Sequence, residues 1–200
     1  MIKFRKANPT DYKRFAFIHT QAFVGFFLTT LGKGFLATYY LSCLKHKSTI
    51  AVCAYDEEDN IIGFASGSIW SKGYNKNVIL ANKLAFGFAA LKIVLTRPLA
   101  LARLINNLSK NNNQEDKGDY AELLSIAILP TYKGLGIGKQ ILIEFEKEAI
   151  LQNSNRISLT TDFYNNEDIV KFYKKLGYDI FYDFITYPNR KMIKMIKQLT

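Results

Sequence analysis

The stretch Ala121 to Lys147, AELLSIAILPTYKGLGIGKQILIEFEK, most limits what this 200-residue chain can fold into. Ala121 to Leu129 is a short apolar run rich in branched side chains and closed by Pro130, the pattern of a largely buried strand. Ile137, Ile141, Leu142, Phe145 and Ala149 then recur at helical spacing, with Lys139, Glu144, Glu146 and Lys147 mostly on the other side. Between the two stands Lys133-Gly134-Leu135-Gly136-Ile137-Gly138-Lys139. A strand therefore runs through a glycine-rich turn into the start of a helix. The first helical turn has backbone N–H groups without intrahelical partners, and its dipole favours negative charge. Glycines let the backbone take positive φ and approach a ligand closely. Phosphate is the ligand such a turn suits. Two phosphate motifs are excluded. A P-loop needs Gly where Lys133 stands and Ser or Thr where Gln140 stands, and a dinucleotide fingerprint needs Gly or Ala at Lys139 or Ile141.

The remainder reads as one mixed α/β domain over 1–200. Ile2 to Lys6 is a strand. Pro9 and Thr10-Asp11 start a helix carrying Phe15, Ile18, His19, Ala22 and Phe23, interrupted at Gly25, and a second helix is expected over Phe26 to Lys45. Ser48 to Tyr55 and Ile61 to Trp70 form a hairpin whose turn, Asp56-Glu57-Glu58-Asp59-Asn60, is a solvated acidic loop. Residues 71–118 break the rhythm with two expected helices, near Asn77–Leu91 and Arg97–Asn107, and a polar linker from Asn111 to Gly118. Beyond the central stretch come a strand at Arg156 to Asp162, a helix from Asn165-Asn166 to Leu176 capped by Gly177, and two closing strands, Tyr178 to Ile185 and Arg190 to Lys197. His19 and His46 are isolated, and a surface or core role is expected for each rather than a catalytic one.

Composition narrows the partners. Hydrophobic residues make up 48% of the chain, enough for a sizeable core. Cys43 and Cys53 have neither metal spacing nor a disulfide framework, so buried thiols and no metal site are expected. The N-terminus has no signal-peptide core, and the longest apolar run, Leu84 to Leu91, is too short to span a bilayer. A cytoplasmic location follows as an expectation. The net charge is +10, and residues 71–118 hold eight basic and two acidic side chains. An anionic cofactor accounts for part of this, and an acidic partner for the insert is a second expectation.

The glycine stretch resembles the coenzyme A-binding motif of the GCN5-related N-acetyltransferases (GNAT), written Q/R-x-x-G-x-G/A; Lys133 stands where that family has Arg or Gln, keeping the charge with fewer donors. A second motif, Asn166-x-x-Ile169-x-x-x-Tyr173-x-x-x-Gly177-Tyr178, resembles the family's N-x-x-A-x-x-x-Y-x-x-x-G-F. The element order is similar to the family's over nearly the whole chain except 71–118. The resemblance implies the GNAT fold: a central mixed, mostly antiparallel sheet flanked by helices, here with a helical insertion before the cofactor-binding strand. It also implies acetyl-CoA, with Lys133, Gly134, Leu135, Gly136, Ile137, Gly138 and Lys139 at its pyrophosphate. The backbone of Ile126, Ala127 and Ile128 would lie along the pantetheine arm, and Asn166 would bond that arm, while also serving as a helix N-cap.

Acetyl transfer to an amine needs a base, an oxyanion donor, an acid for the leaving thiolate, and register between reactants. Glu122 is the expected base, because Ala121-Glu122-Leu123-Leu124-Ser125-Ile126-Ala127-Ile128 resembles the strand that carries the catalytic Glu in histone-acetylating members. A carboxyl in an otherwise apolar strand holds its proton more readily than a solvated one. Tyr173 is the expected acid, with Phe172 facing the core, and the Ile128 N–H is the expected oxyanion donor.

The acceptor is not legible. A small amine or amino sugar is the first expectation and a protein amino group the second. Residues 71–118 are expected to form a lid over the acceptor cleft, with Leu84, Phe86, Phe88, Leu91, Ile93 and Leu95 as its apolar side. Its Lys83, Lys92, Arg97 and Arg103 would favour an anionic acceptor. A second subunit, and so a homodimer, or a membrane surface are the other candidates for covering that side. Two other readings stay open: a non-catalytic coenzyme A-binding module, and a basic interaction module on an anionic surface. Nucleic acid is disfavoured, since aromatic and basic residues do not interleave.

Overall fold

A computed structural model describes residues 2–96 and 116–200. In chain order the elements are β1 (Lys3–Lys6), α1 (Tyr12–Ala22), α2 (Phe27–Thr30), α3 (Lys33–Lys45), β2 (Thr49–Tyr55), β3 (Ile61–Ser68), α4 (Tyr74–Ala81) and α5 (Lys83–Thr96). They continue with β4 (Ala121–Ile128), α6 (Ile137–Leu151), β5 (Arg156–Asp162), α7 (Glu167–Lys175), β6 (Asp179–Thr186) and β7 (Arg190–Gln198). The strands form a seven-stranded sheet in the order β1-β2-β3-β4-β5-β7-β6. Every neighbouring pair is antiparallel except β4 and β5. This is the mixed, mostly antiparallel sheet flanked by helices that the resemblance implied.

Strand alternation divides the apolar residues between two faces. On one, Ile137, Ile141, Leu142 and Phe145 of α6 pack with Ile50, Ala65, Ala121, Leu123 and Ile157. On the other, Phe15 and Ile18 of α1 and Leu36 and Tyr40 of α3 pack with Cys53, Phe64 and Ala127. A third cluster joins α3 to α4 and α5 through Phe35, Cys43, Tyr74, Val78, Phe86 and Ile93. Both cysteines are free and buried, and burial pushes the Cys43 thiol up to about 11.

The single helix expected over Phe26 to Lys45 is two, α2 and α3, because Gly32 takes φ 93°, a left-handed turn that ends one helix and starts the next. The helix expected at Asn77 to Leu91 is also two. It begins at Tyr74, after Gly73 at φ 73°, and breaks at Asn82, whose side-chain amide donates to the Val78 carbonyl at 3.0 Å. The second expected insert helix, Arg97–Asn107, lies outside the described residues, as do Asn111 to Glu115 of the expected polar linker. The end of that linker is not a solvated tether: Asp116 is buried in a polar cluster beside β4.

Candidate active site

β4 and β5 run side by side only from Ala121↔Ile157 to Leu123↔Leu159. Beyond Leu123 they diverge, while β4 stays paired with β3 on its other edge. The Leu129 N–H bonds the Ile62 carbonyl at 2.8 Å. Since alternate residues of an antiparallel strand address opposite neighbours, the backbone groups of Ile128 and Ile126 face the open side. A register shift at Ser66/Gly67 lies at the start of this opening. Gly67 makes it possible, because a Cβ there would stand 1.9 Å from the Glu122 carbonyl oxygen. The sequence thus leaves an unpaired strand edge of the kind an extended ligand adds to.

The glycine loop stands at the C-terminal end of that edge. Gly134 and Gly136 have φ 82° and 73°, and no atom lies within 4 Å of where their Cβ atoms would be. Lys133, Leu135 and Lys139 are exposed around them. Gly138 serves packing instead. A Cβ there would come within 3.2 Å of Ile128 Cδ1, so its bareness lets α6 start close against β4. Gly136 is the N-cap of α6 and no side chain caps the helix, so the first-turn N–H groups are free for an anion. This open cradle fits a pyrophosphate. The acidic turn steadies it from behind. Asp56 accepts the Asn60 N–H at 2.8 Å and the Tyr132 hydroxyl at 3.3 Å, just before Lys133.

Glu122 lies between Ala121 and Leu123, both in the α6-side core, so its side chain is on the opposite face. The apolar surround expected for it is absent. Lys194 Nζ donates to Oε1 at 3.0 Å and Ser71 Oγ to Oε2 at 2.6 Å. The Lys194 side chain is 1% exposed and that of Glu122 13%. Asp116 Oδ2 approaches the same ammonium at 3.9 Å and accepts the hydroxyls of Tyr120 at 2.5 Å and Tyr182 at 2.6 Å. Burial would raise the Asp116 carboxyl, but these hydroxyls, the Gly118 N–H and Lys194 outweigh it and hold it below the usual range. The Ser71 N–H bonds the Tyr120 carbonyl at 2.9 Å and the Lys72 N–H that of Gly118 at 3.2 Å, so both ends of the insert are fastened beside Glu122.

Tyr173 lies in the core on the α6 side, across the sheet from the Glu122 side chain. It is the more buried of its pair; Phe172, expected to face the core, is only half-buried at its edge. Burial pushes the Tyr173 phenol up to about 12, so it stays protonated, and its hydroxyl has no hydrogen-bond partner among the described residues. Asn166 precedes α7 but does not cap it with its side chain, which instead donates to Thr161 Oγ1 at 2.7 Å and to the Asp162 carbonyl at 2.9 Å. His19 is a core residue bonded to the Tyr40 hydroxyl at 2.7 Å.

Lys194, Asp116, Tyr120, Tyr182 and Ser71 went unrecognised in the sequence. One signal was present: a Lys inside Met192-Ile193-Lys194-Met195-Ile196 contradicts its apolar surroundings and calls for a buried acid. The described part of the insert does not turn its apolar side into a cleft over Glu122, and the side chain of Leu95 lies outside the described residues. Phe86 and Ile93 pack on α3, Leu124 of β4 touches the same cluster, and Leu84, Phe88 and Leu91 remain exposed. Arg97 and Arg103 lie outside the described residues, as does the side chain of Lys92. A separate cleft of about 350 Å³ stands between the α1–α2 turn and β7, lined by Val24, Gly25, Phe26, Phe27 and Arg190. The Arg190 guanidinium there is held by Asp162 through two bonds of 2.5 Å.

Residues 20–178 match the sequence model of the acetyltransferase (GNAT) family. Comparison with curated proteins finds no match. Among solved structures, the chain is similar to the ribosomal-protein-S18-alanine N-acetyltransferase of Escherichia coli, with 14% identity, a TM-score of 0.62, and 100% of this chain and 95% of that chain covered. The PaiA N-acetyltransferase of Thermoplasma acidophilum in complex with coenzyme A is similar at 16% identity and TM-score 0.58, over 99% of each chain. A mutant form of the spermidine/spermine N-acetyltransferase of Vibrio cholerae is similar at 13% identity and TM-score 0.58, over 100% of this chain and 95% of that one.

Proposed function

Because the chain belongs to the GNAT acetyltransferase family, we propose that it transfers the acetyl group of acetyl-CoA to a primary amine, as one catalytic domain with 71–118 inserted. The observation that carries this reading is the divergence of β5 from β4 beyond Leu123, beside an open glycine cradle. Bound acetyl-CoA supplies an activated acyl group and a thiolate leaving group. The N–H groups of Leu135 to Lys139, with Lys133 and Lys139 as nearby cations, hold the pyrophosphate. Ile126 and Ile128 present their backbone to the pantetheine arm, Ala127 between them anchors the strand in the core, and Asn166 borders the same opening. The Ile128 N–H donates to the acetyl oxygen as it gains charge.

Glu122 takes the amine's proton. Each of its oxygens has two acceptor sites, and Lys194 and Ser71 use one apiece, so the carboxylate is aimed and still able to accept. Tyr173, kept protonated by burial, gives a proton to the leaving sulfur from the other face. The acceptor is a small amine or amino sugar before a protein amino group, and the reaction takes place in the cytoplasm.

A thermal-shift titration with acetyl-CoA tests the cofactor half of this proposal. At a hundredfold excess over Kd, binding adds about 2.7 kcal/mol. Gly136→Asp sets a carboxylate where the pyrophosphate belongs and is expected to abolish the shift. A full shift in that variant would show that the loop does not hold the cofactor.

A further inference from the structure

α5, KLAFGFAALKIVLT, carries charge only at Lys83 and Lys92 over its 14 residues. A helix apolar all round belongs inside a protein or against lipid. Among the described residues, only one side of α5 is covered: Phe86 and Ile93 pack with Leu31, Phe35 and Cys43. Leu84, Phe88 and Leu91 recur along the other side and are 76%, 76% and 59% exposed, and Leu80 of α4 ahead of them is 58% exposed. Next to this stripe α3 and α5 enclose a cavity of about 590 Å³, whose walls include Leu31, Phe35, Ala85, Phe88 and Lys33. Phe88 belongs to both, so the cavity continues the apolar surface inward.

Along α3 and from Ile69 to Thr96 every charged residue is a lysine. Lys33, Lys72, Lys76 and Lys83 are exposed, and none makes an ion pair with a described residue. A second copy of the chain would bring the same lysines face to face across a two-fold contact. An anionic surface would meet them with opposite charge. No helix among the described residues is long and apolar enough to cross a membrane, which leaves lying on it.

We propose that the α4–α5 face docks on a leaflet containing anionic phospholipid. Leu84, Phe88 and Leu91 enter at the level of the acyl chains, the four lysines meet the phosphates, and the cavity beside Phe88 receives part of one lipid tail. Ser71 and Asp116, at the two ends of the insert, are fastened beside Glu122, so docking places that carboxylate close to the leaflet. Docking of this face does not depend on the acetyltransferase reading.

Sedimentation with large unilamellar vesicles tests it. The full chain is expected to pellet with vesicles of phosphatidylglycerol and phosphatidylcholine at least about tenfold more than with phosphatidylcholine alone, and to be released as salt rises. Leu84→Asp with Phe88→Asp is expected to lower binding about tenfold without moving the thermal midpoint, since both positions are exposed. Lys76→Gln with Lys83→Gln is expected to weaken binding and flatten its salt dependence. Absence of pelleting with the anionic vesicles overturns the proposal, as does equal pelleting by the aspartate variant. A dimer in light scattering that the aspartate variant splits, with vesicles capturing neither form, would assign the face to a second copy instead.

Discussion

Glu122 is the residue on which chemistry and stability meet. Its change to Gln removes the proposed base, so kcat is expected to fall by about 10²- to 10⁴-fold with acetyl-CoA affinity retained. It also leaves Lys194 without its nearest carboxylate. Breaking a buried pair costs about 3–5 kcal/mol, and the lower end applies here because Asp116 stays at 3.9 Å. Adding Lys194→Met should restore part of the stability in a denaturant melt and none of the activity; recovered turnover would remove Glu122 from the base role. His19 makes a separate prediction. Burial lowers its pKa to about 4, so the folded state keeps it neutral where the unfolded chain takes a proton. Stability from this group is complete above about 6.5, is lost as pH falls toward 4, and amounts to about 3 kcal/mol. His19→Leu should flatten the acid limb of a stability-versus-pH curve, and an unchanged limb would contradict the assignment. At this scale the sequence was half legible. Glu122 and Tyr173 stand out by motif, but Lys194 reaches Glu122 from β7 across β5, a contact that no local pattern encodes.

Among the elements, β4 and the glycine loop were the most legible, because a strand, a turn needing positive φ and an amphipathic helix each have a strong local pattern. The helix breaks at Gly32 and Asn82 were missed. Apolar spacing continues through both, and only the backbone turn or the side-chain bond to the preceding carbonyl ends the helix. β3 carries the sharpest test of element fit. Gly67→Ala would set a methyl 1.9 Å from the Glu122 carbonyl oxygen, against backbone that cannot yield cheaply. We expect a loss of about 3 kcal/mol or more in chemical denaturation, with activity falling because β4 shifts. A neutral outcome would mean that the β3–β4 register is looser than this contact demands. Asp56 extends the argument to the hairpin turn. Asp56→Ala frees Tyr132 and the turn's own N–H groups, so acetyl-CoA should bind more weakly in a titration while the core melts almost unchanged.

At the scale of the whole molecule, the fold separates two roles across one sheet. The α6 face supplies the glycine cradle proposed for the cofactor and Tyr173, and the opposite face supplies Glu122 and the insert. The parting of β4 from β5 joins them. That parting could not be read from sequence, since it depends on how far two strands distant in the chain, last paired at Leu123↔Leu159, stay together. The outward placement of the Leu84–Leu91 stripe was equally hidden, because apolar spacing says that a face must be covered and not by what. The most direct test of the account is transfer itself. The full chain is incubated with acetyl-CoA labelled in the acetyl group and a panel of amines, amino sugars and lysine peptides, and the products are resolved by mass spectrometry. Label is expected on the nitrogen of at least one primary amine, with equal release of free coenzyme A, and neither from Glu122→Gln. Tight binding of acetyl-CoA with no label on any amine, or labelling by Glu122→Gln at the unaltered rate, would contradict it.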